Sequence, residues 1–128
     1  MNYYVIRRTA VADNESNQAA ARAGVGWLAD VGGGTVLVSE WGSFEDTFGR
    51  SREDYTKLLS RSNIRFEKLT RHVRGTGNVL VVHPDRTDLE IVDRRWADGD
   101  VMVVEWDPGA TLWWRGQHEV CELEPPAP

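Results

Sequence analysis

The chain predicts an α/β fold: a single small three-layer domain with a mostly parallel, four- or five-stranded, Rossmann-like sheet and an antiparallel C-terminal edge strand. Three observations predict it. Val79–Val82 and Val101–Val104 are unbroken apolar runs, mostly β-branched. A strand with one wet face alternates apolar and polar residues, so an unbroken run marks a strand covered on both faces, as in the centre of a parallel sheet. Between the runs, Leu89, Val92 and Trp96 recur at helical spacing behind a Pro84-Asp85 start signal. A strand, a crossover helix and a parallel strand follow. The competing pattern makes residues 89–96 a strand in an antiparallel meander, which the lack of alternation in the two runs disfavours.

Taken in order, residues 3–8 have the aromatic and β-branched content of a first strand. Asp13 or Asn14 caps a helix running through the Ala-rich residues 18–23, with Ala20, Ala23, Trp27 and Val31 on one face. Gly24 and Gly26 each cost that helix about 1 kcal/mol relative to Ala, so a kink or early end is expected there. Gly32-Gly33-Gly34 ends it and leads into a strand at 35–39. Residues 40–51 read as a loop, and 52–61 as a short helix with Tyr55, Leu58 and Leu59 inward. Residues 64–73 fit both periods, since Ile64 and Phe66 alternate while Phe66, Leu69 and Val73 have helical spacing. Asp107-Pro108-Gly109 reads as a turn, after which 111–115 return as the antiparallel edge strand. Residues 1–124 form one domain in this reading, and 125–128 a Pro-rich frayed tail.

Composition bounds the function classes. Apolar content of 41% and charged content of 27% are those of a folded globular domain. No apolar run approaches the roughly 20 residues of a membrane helix, and no signal-peptide pattern begins the chain. The single cysteine, Cys121, excludes an internal disulfide and a Cys-rich metal site, and a cytoplasmic protein is expected. The net charge of −5 conceals a basic middle. Residues 50–74 hold eight Lys or Arg against three acids, while 75–128 hold four Arg against eleven acids. Arg61, Arg65, Lys68 and Arg71 are therefore candidates for a phosphate-bearing or acidic partner, and otherwise form a solvated face.

In an open parallel sheet, ligands bind beyond the carboxyl ends of the strands. Three groups of residues meet at that edge: 39–43, 83–87 and 105–107. His83 with Asp85 or Glu105 has the composition of a general base and its orienting carboxylate, or of a weak divalent-metal site. Arg86 at a helix N-terminus suits a phosphate. Trp41 and Trp106 suit a stacked ring, with Glu40 beside them. The structural alternatives are an Asp85 helix cap, a strand-ending His83 and tryptophans that cover core edges. Adjacent Trp113 and Trp114 on a strand would point to opposite faces, leaving one for a protein partner or a second copy. Cys121, flanked by Glu119 and Glu122, lacks the electropositive setting of a nucleophile. His72 and His118 have no evident partners, and no complete catalytic, phosphate-loop, metal or cofactor signature is present.

Scattered pieces resemble the catalytic domain of serine recombinases: Arg7-Arg8-Thr9, residues 65–69, and the run 79–86 with its Asp85-Arg86. Thr9 stands where that family has its serine nucleophile, and Leu89 where a second arginine belongs. No DNA-binding domain follows, so the resemblance implies at most an inactive relative. The expected function is a non-enzymatic binding or regulatory module for a protein or a phosphate-bearing partner (nucleic acid or nucleotide), with no cofactor or metal. The alternative is a small enzyme acting on a nucleotide or phosphorylated metabolite through His83, Asp85, Arg86 and Glu105.

Overall fold

Successive residues of the apolar runs serve opposite helix layers. Val79, Val81, Val101 and Val103 pack with Leu89, Ile91, Val92, Ala110 and Trp114. Leu80, Val82, Met102 and Val104 pack with Ala21, Val25, Leu28, Phe44, Phe48 and Tyr55. Two dry faces leave no position for a polar residue, which is why the runs do not alternate. The computed structural model describes residues 1–8 and 13–126. In chain order its elements are β1 (Tyr3–Ile6), α1 (Asn14–Asp30), β2 (Gly34–Val38), a 3₁₀ turn (Trp41–Ser43), α2 (Phe44–Phe48), α3 (Arg52–Leu58) and β3 (Ile64–Lys68). There follow β4 (Gly75–Thr76), β5 (Val79–Val82), α4 (Arg86–Arg95), β6 (Trp96–Ala97), β7 (Val101–Val104), α5 (Pro108–Gln117) and β8 (Val120–Leu123).

The main sheet has six strands in the order β3-β2-β5-β7-β1-β8, one more than expected, and every pairing is parallel. The α/β expectation holds, and the meander is overturned because residues 86–95 are helical. A separate two-residue ladder joins β4 to β6, with the Trp96 indole N–H donating to the Gly77 carbonyl at 3.0 Å. Among the described residues no helix is long and apolar enough to cross a membrane.

Several local expectations are corrected. The α1 helix runs unbroken through both glycines, capped by Asp13, whose carboxylate accepts from the Ser16 N–H at 2.7 Å. Gly24 lies on the buried face with Ala21, Val25 and Leu28, and a Cβ there would meet Leu80 Cδ1 at 2.9 Å. The glycine lets the helix sit close on the sheet, which offsets its cost in helix propensity. Val31 is exposed as the C-cap. Residues 40–51 are not simply a loop but contain α2, whose Phe44 and Phe48 are buried beside Tyr55 and Phe66. In α3 only Tyr55 is fully buried, and Leu58 faces solvent.

The largest correction is at the C-terminus. Asp107-Pro108 is not a hairpin turn but a helix start: the Asp107 carboxylate caps Gly109 N–H at 3.0 Å, and Pro108 occupies the first turn, where its missing N–H costs nothing. Residues 111–115 are thus helical, and the edge strand is β8, parallel to β1. On a helix Trp113 and Trp114 do not point to opposite sides of a sheet. Trp114 is fully buried, with its indole N–H donating to Asp93 at 3.3 Å, so it is withdrawn as a partner-binding residue. Trp113 is half-buried beneath the Arg86 guanidinium.

Candidate functional site

The strand order determines where a cavity can open. α1, α2 and α3 cover one face of the sheet, and α4 and α5 the other. Neighbouring strands β2 and β5 therefore send the chain to opposite faces, β2 into α2 and β5 into α4. The same divergence separates β7, which feeds α5, from β1, which feeds α1. Diverging connections cannot fill the space between them, and a crevice remains at the carboxyl ends.

At the β2/β5 divergence lies a cavity of ≈ 380 Å³. Its floor is the apolar ends of the strands, Val38 and Val82, with Phe44. Its walls carry the amides of Asn14 and Asn17, the hydroxyls of Ser39, Ser43 and Thr47, and the carboxylates of Glu40 and Asp46. The rings of His83 and Trp106 close one side, 4.6 Å apart between centroids. Among the described residues no Lys or Arg lines it, though Lys68 pairs with Glu40 at 3.5 Å. Such a lining suits an uncharged molecule rich in hydrogen-bonding groups.

A second cavity, of ≈ 180 Å³, opens at the β7/β1 divergence and shares His83 and Asn17 with the first. Ile6, Arg7, Arg8, Ser16, Ala20, Val104, Glu105, Pro125 and Pro126 complete its lining. Glu105 is the buried anion of this cavity, its side chain 1% exposed. Its carboxylate accepts the Arg8 backbone N–H at 3.1 Å and faces the Arg7 Nε, which lies 3.3 Å from Oε1 and 3.2 Å from Oε2. Arg7 also reaches Glu122 at 3.0 Å. The Arg8 guanidinium donates to the Trp106 carbonyl at 3.1 Å and lies 4.0 Å over the indole. Arg8 has no carboxylate partner among the described residues, which leaves its charge available to a ligand.

His83 links the two cavities. It ends β5 with φ of 55°, a left-handed conformation that turns the chain towards Pro84 and α4, while its N–H donates to Val104 at 3.0 Å. Burial, with Arg8 nearby, lowers its pKa to about 4, so the imidazole is neutral at physiological pH. No carboxylate among the described residues hydrogen-bonds it.

Of the residues expected at this edge, Glu40, His83 and Trp106 line the first cavity, and Glu105 with His83 the second. Asp85 is committed to a capping box: it accepts from Asp88 N–H at 2.8 Å, while Asp88 accepts from Asp85 N–H at 3.1 Å. Burial raises the Asp88 pKa. Arg86 pairs with Glu90 at 3.2 Å and covers Trp113, away from both cavities. Trp41 lies under the Arg52 guanidinium at 3.6 Å, outside the cavity linings. Arg61, Arg65, Lys68 and Arg71 are exposed in and around β3, the outermost strand on the far side of β2.

Asn14, Asn17, Thr47, Arg7 and Arg8 were not anticipated at the site. The signal for the arginines is that β1 also ends at this edge, and for the asparagines that α1 begins there. His118, without an evident partner in sequence, is held by Asp93 at 2.9 Å and stacks on Tyr3. Among the described residues no group of three or more His, Cys, Asp or Glu side chains converges as metal ligands. Thr9, the position that matters for the recombinase resemblance, lies outside the described residues. Compared with protein-family models, curated proteins and solved structures, the chain matches none.

Proposed function

We propose that this chain is a non-enzymatic binding module that takes a nucleotide-sized, phosphate-bearing molecule at the carboxyl edge of its sheet. One observation carries the reading: two cavities at neighbouring chain divergences share His83 and Asn17, one lined by amides, hydroxyls and rings with Glu40 and Asp46, the other by Arg7 and Arg8 with Glu105. The uncharged, hydrogen-bonding part of such a ligand suits the first cavity, and its phosphate suits the Arg8 side. The first turn of α1 contributes Asn14, Ser16 and Asn17 to the linings, while the Asp13 carboxylate already caps that end of the helix. Nucleotides are plentiful in a cytoplasm, the compartment expected from the lone cysteine.

Binding is favoured over catalysis because the groups needed for proton transfer are engaged elsewhere. Asp85 caps α4, Glu105 is buried and paired with the Arg7 guanidinium and the Arg8 backbone N–H, and His83 is too weak a base at neutral pH.

The test is calorimetric titration with nucleosides and their monophosphates. Ser39→Ala and Asn17→Ala should weaken both series. Arg8→Gln should weaken only the monophosphates, by about tenfold or more, the worth of a hydrogen bond to a charged group. Absence of binding to every member of both series would contradict the reading, and turnover of a bound member would replace it with the enzymatic one.

A further inference from the structure

The two outer edges of the sheet are open and oppositely charged. Among the described residues, β3 pairs only with β2, and β8 only with β1. On β3, the Asn63 carbonyl and the Leu69 N–H are used by β2, at 3.0 and 2.8 Å. By the alternation of a parallel ladder, the backbone groups of Ile64, Phe66 and Lys68 then point away from the sheet. Residues 61–74 carry Arg61, Arg65, Lys68, Arg71 and Arg74 against the single acid Glu67. Residues 118–124, which contain β8, carry Glu119, Glu122 and Glu124 and no Lys or Arg.

The faces also match. Ile64 and Phe66 lie on the α1 side of the sheet, as do Leu123 and, by its pairing with Tyr4, Cys121. Arg65 and Glu122 lie on the other side, where Glu122 also accepts from Arg7 and Arg115 and Arg65 lies 3.7 Å from Glu67. A strand slipped by one residue would exchange the two faces, so few registers remain. The register that pairs apolar with apolar sets Ile64 beside Cys121, Arg65 beside Glu122 and Phe66 beside Leu123.

We propose that copies of this chain associate head to tail, β8 of one copy pairing in parallel with β3 of the next. Pairing of like edges would bring the basic segment against itself, or the three glutamates against theirs, and like charges facing each other across strands are destabilising. Unlike edges attract, and they extend the existing parallel sheet. The interface is heterologous, so it does not close at a dimer.

The test is sedimentation velocity in reducing buffer, from micromolar to near-millimolar protein, at low and high salt. The wild-type protein should grow past a dimer with concentration, and growth should fall at high salt. Arg65→Glu blocks the β3 edge and Cys121→Lys the β8 edge, both at exposed positions. Each variant alone should remain monomeric. Their mixture should give a 1:1 dimer that grows no further, because each supplies the edge the other lacks. If either variant loses thermal stability, Lys68→Glu and Glu122→Lys, which sets a cation beside Arg65, replace them. A wild-type protein that stays monomeric throughout, a dimer abolished by one variant and untouched by the other, or a mixture that stays monomeric would each overturn the proposal.

Discussion

His83 combines a turn and a titration in one residue. Its left-handed backbone ends β5, and its buried ring bridges the two cavities. Its folded pKa of about 4 lies below the ordinary 6.5. Below 6.5 the unfolded chain therefore takes up a proton that the folded protein refuses, and stability is lost as pH falls towards 4. The loss approaches about 3 kcal/mol, from 1.36 kcal/mol per pKa unit. His83→Asn keeps a residue that tolerates the left-handed conformation and removes the titration. Urea unfolding of the wild-type protein should weaken across this window relative to the variant, and parallel pH profiles would contradict the assignment. Glu105 supplies a second contrast. Glu105→Ala should cost about 2–4 kcal/mol, since it removes a buried carboxylate that the Arg7 guanidinium and the Arg8 backbone N–H are built around. Glu122→Ala, at a half-exposed partner of Arg7, should cost less than about 1 kcal/mol. Equal losses in chemical denaturation would mean that Glu105 is not the anchor.

At the scale of elements, the two glycines of α1 behave differently. Gly26 has open space around its Cα, so Gly26→Ala should stabilise the protein by about 1 kcal/mol through helix propensity. Gly24 faces Leu80 and Val104, and Gly24→Val should destabilise by about 1–3 kcal/mol through overpacking. Thermal unfolding separates the two, and a shift of the same sign in both would contradict the packing of α1. This pair also marks what the sequence discloses. It shows that a helix contains two glycines, but whether either touches the sheet depends on a crossing geometry set by strand order. The runs at β5 and β7 were legible to the residue because burial on both faces leaves a continuous apolar trace. α5 was misread because Thr111 to Arg115 contain two tryptophans in five residues, too short a window to show a period. The deciding signal was Asp107-Pro108, which starts a helix as readily as it makes a turn. β8, four residues with a central Glu122 on an exposed edge, has no apolar run to announce it.

For the whole molecule, the edge where the cavities open was legible and much of their lining was not. A parallel sheet implies a binding edge, and the ends of β2, β5 and β7 were found there as expected. Arg7 and Arg8 join them only because β1 inserts between β7 and β8, a non-local pairing with no local trace in the sequence. Asp85 and Arg86, which the sequence places at the same rim, are drawn off by the cap and by Trp113. The paired cavities are therefore where a ligand must be found. The most direct measurement is a two-dimensional amide NMR titration of the protein with nucleoside monophosphates. Binding there should shift the Trp106 indole and the backbone signals of Arg8, Asn17, Ser39 and His83, leaving Tyr3 and His118 at the opposite end of the sheet unmoved. No shift, or shifts confined to residues 61–74, would contradict it.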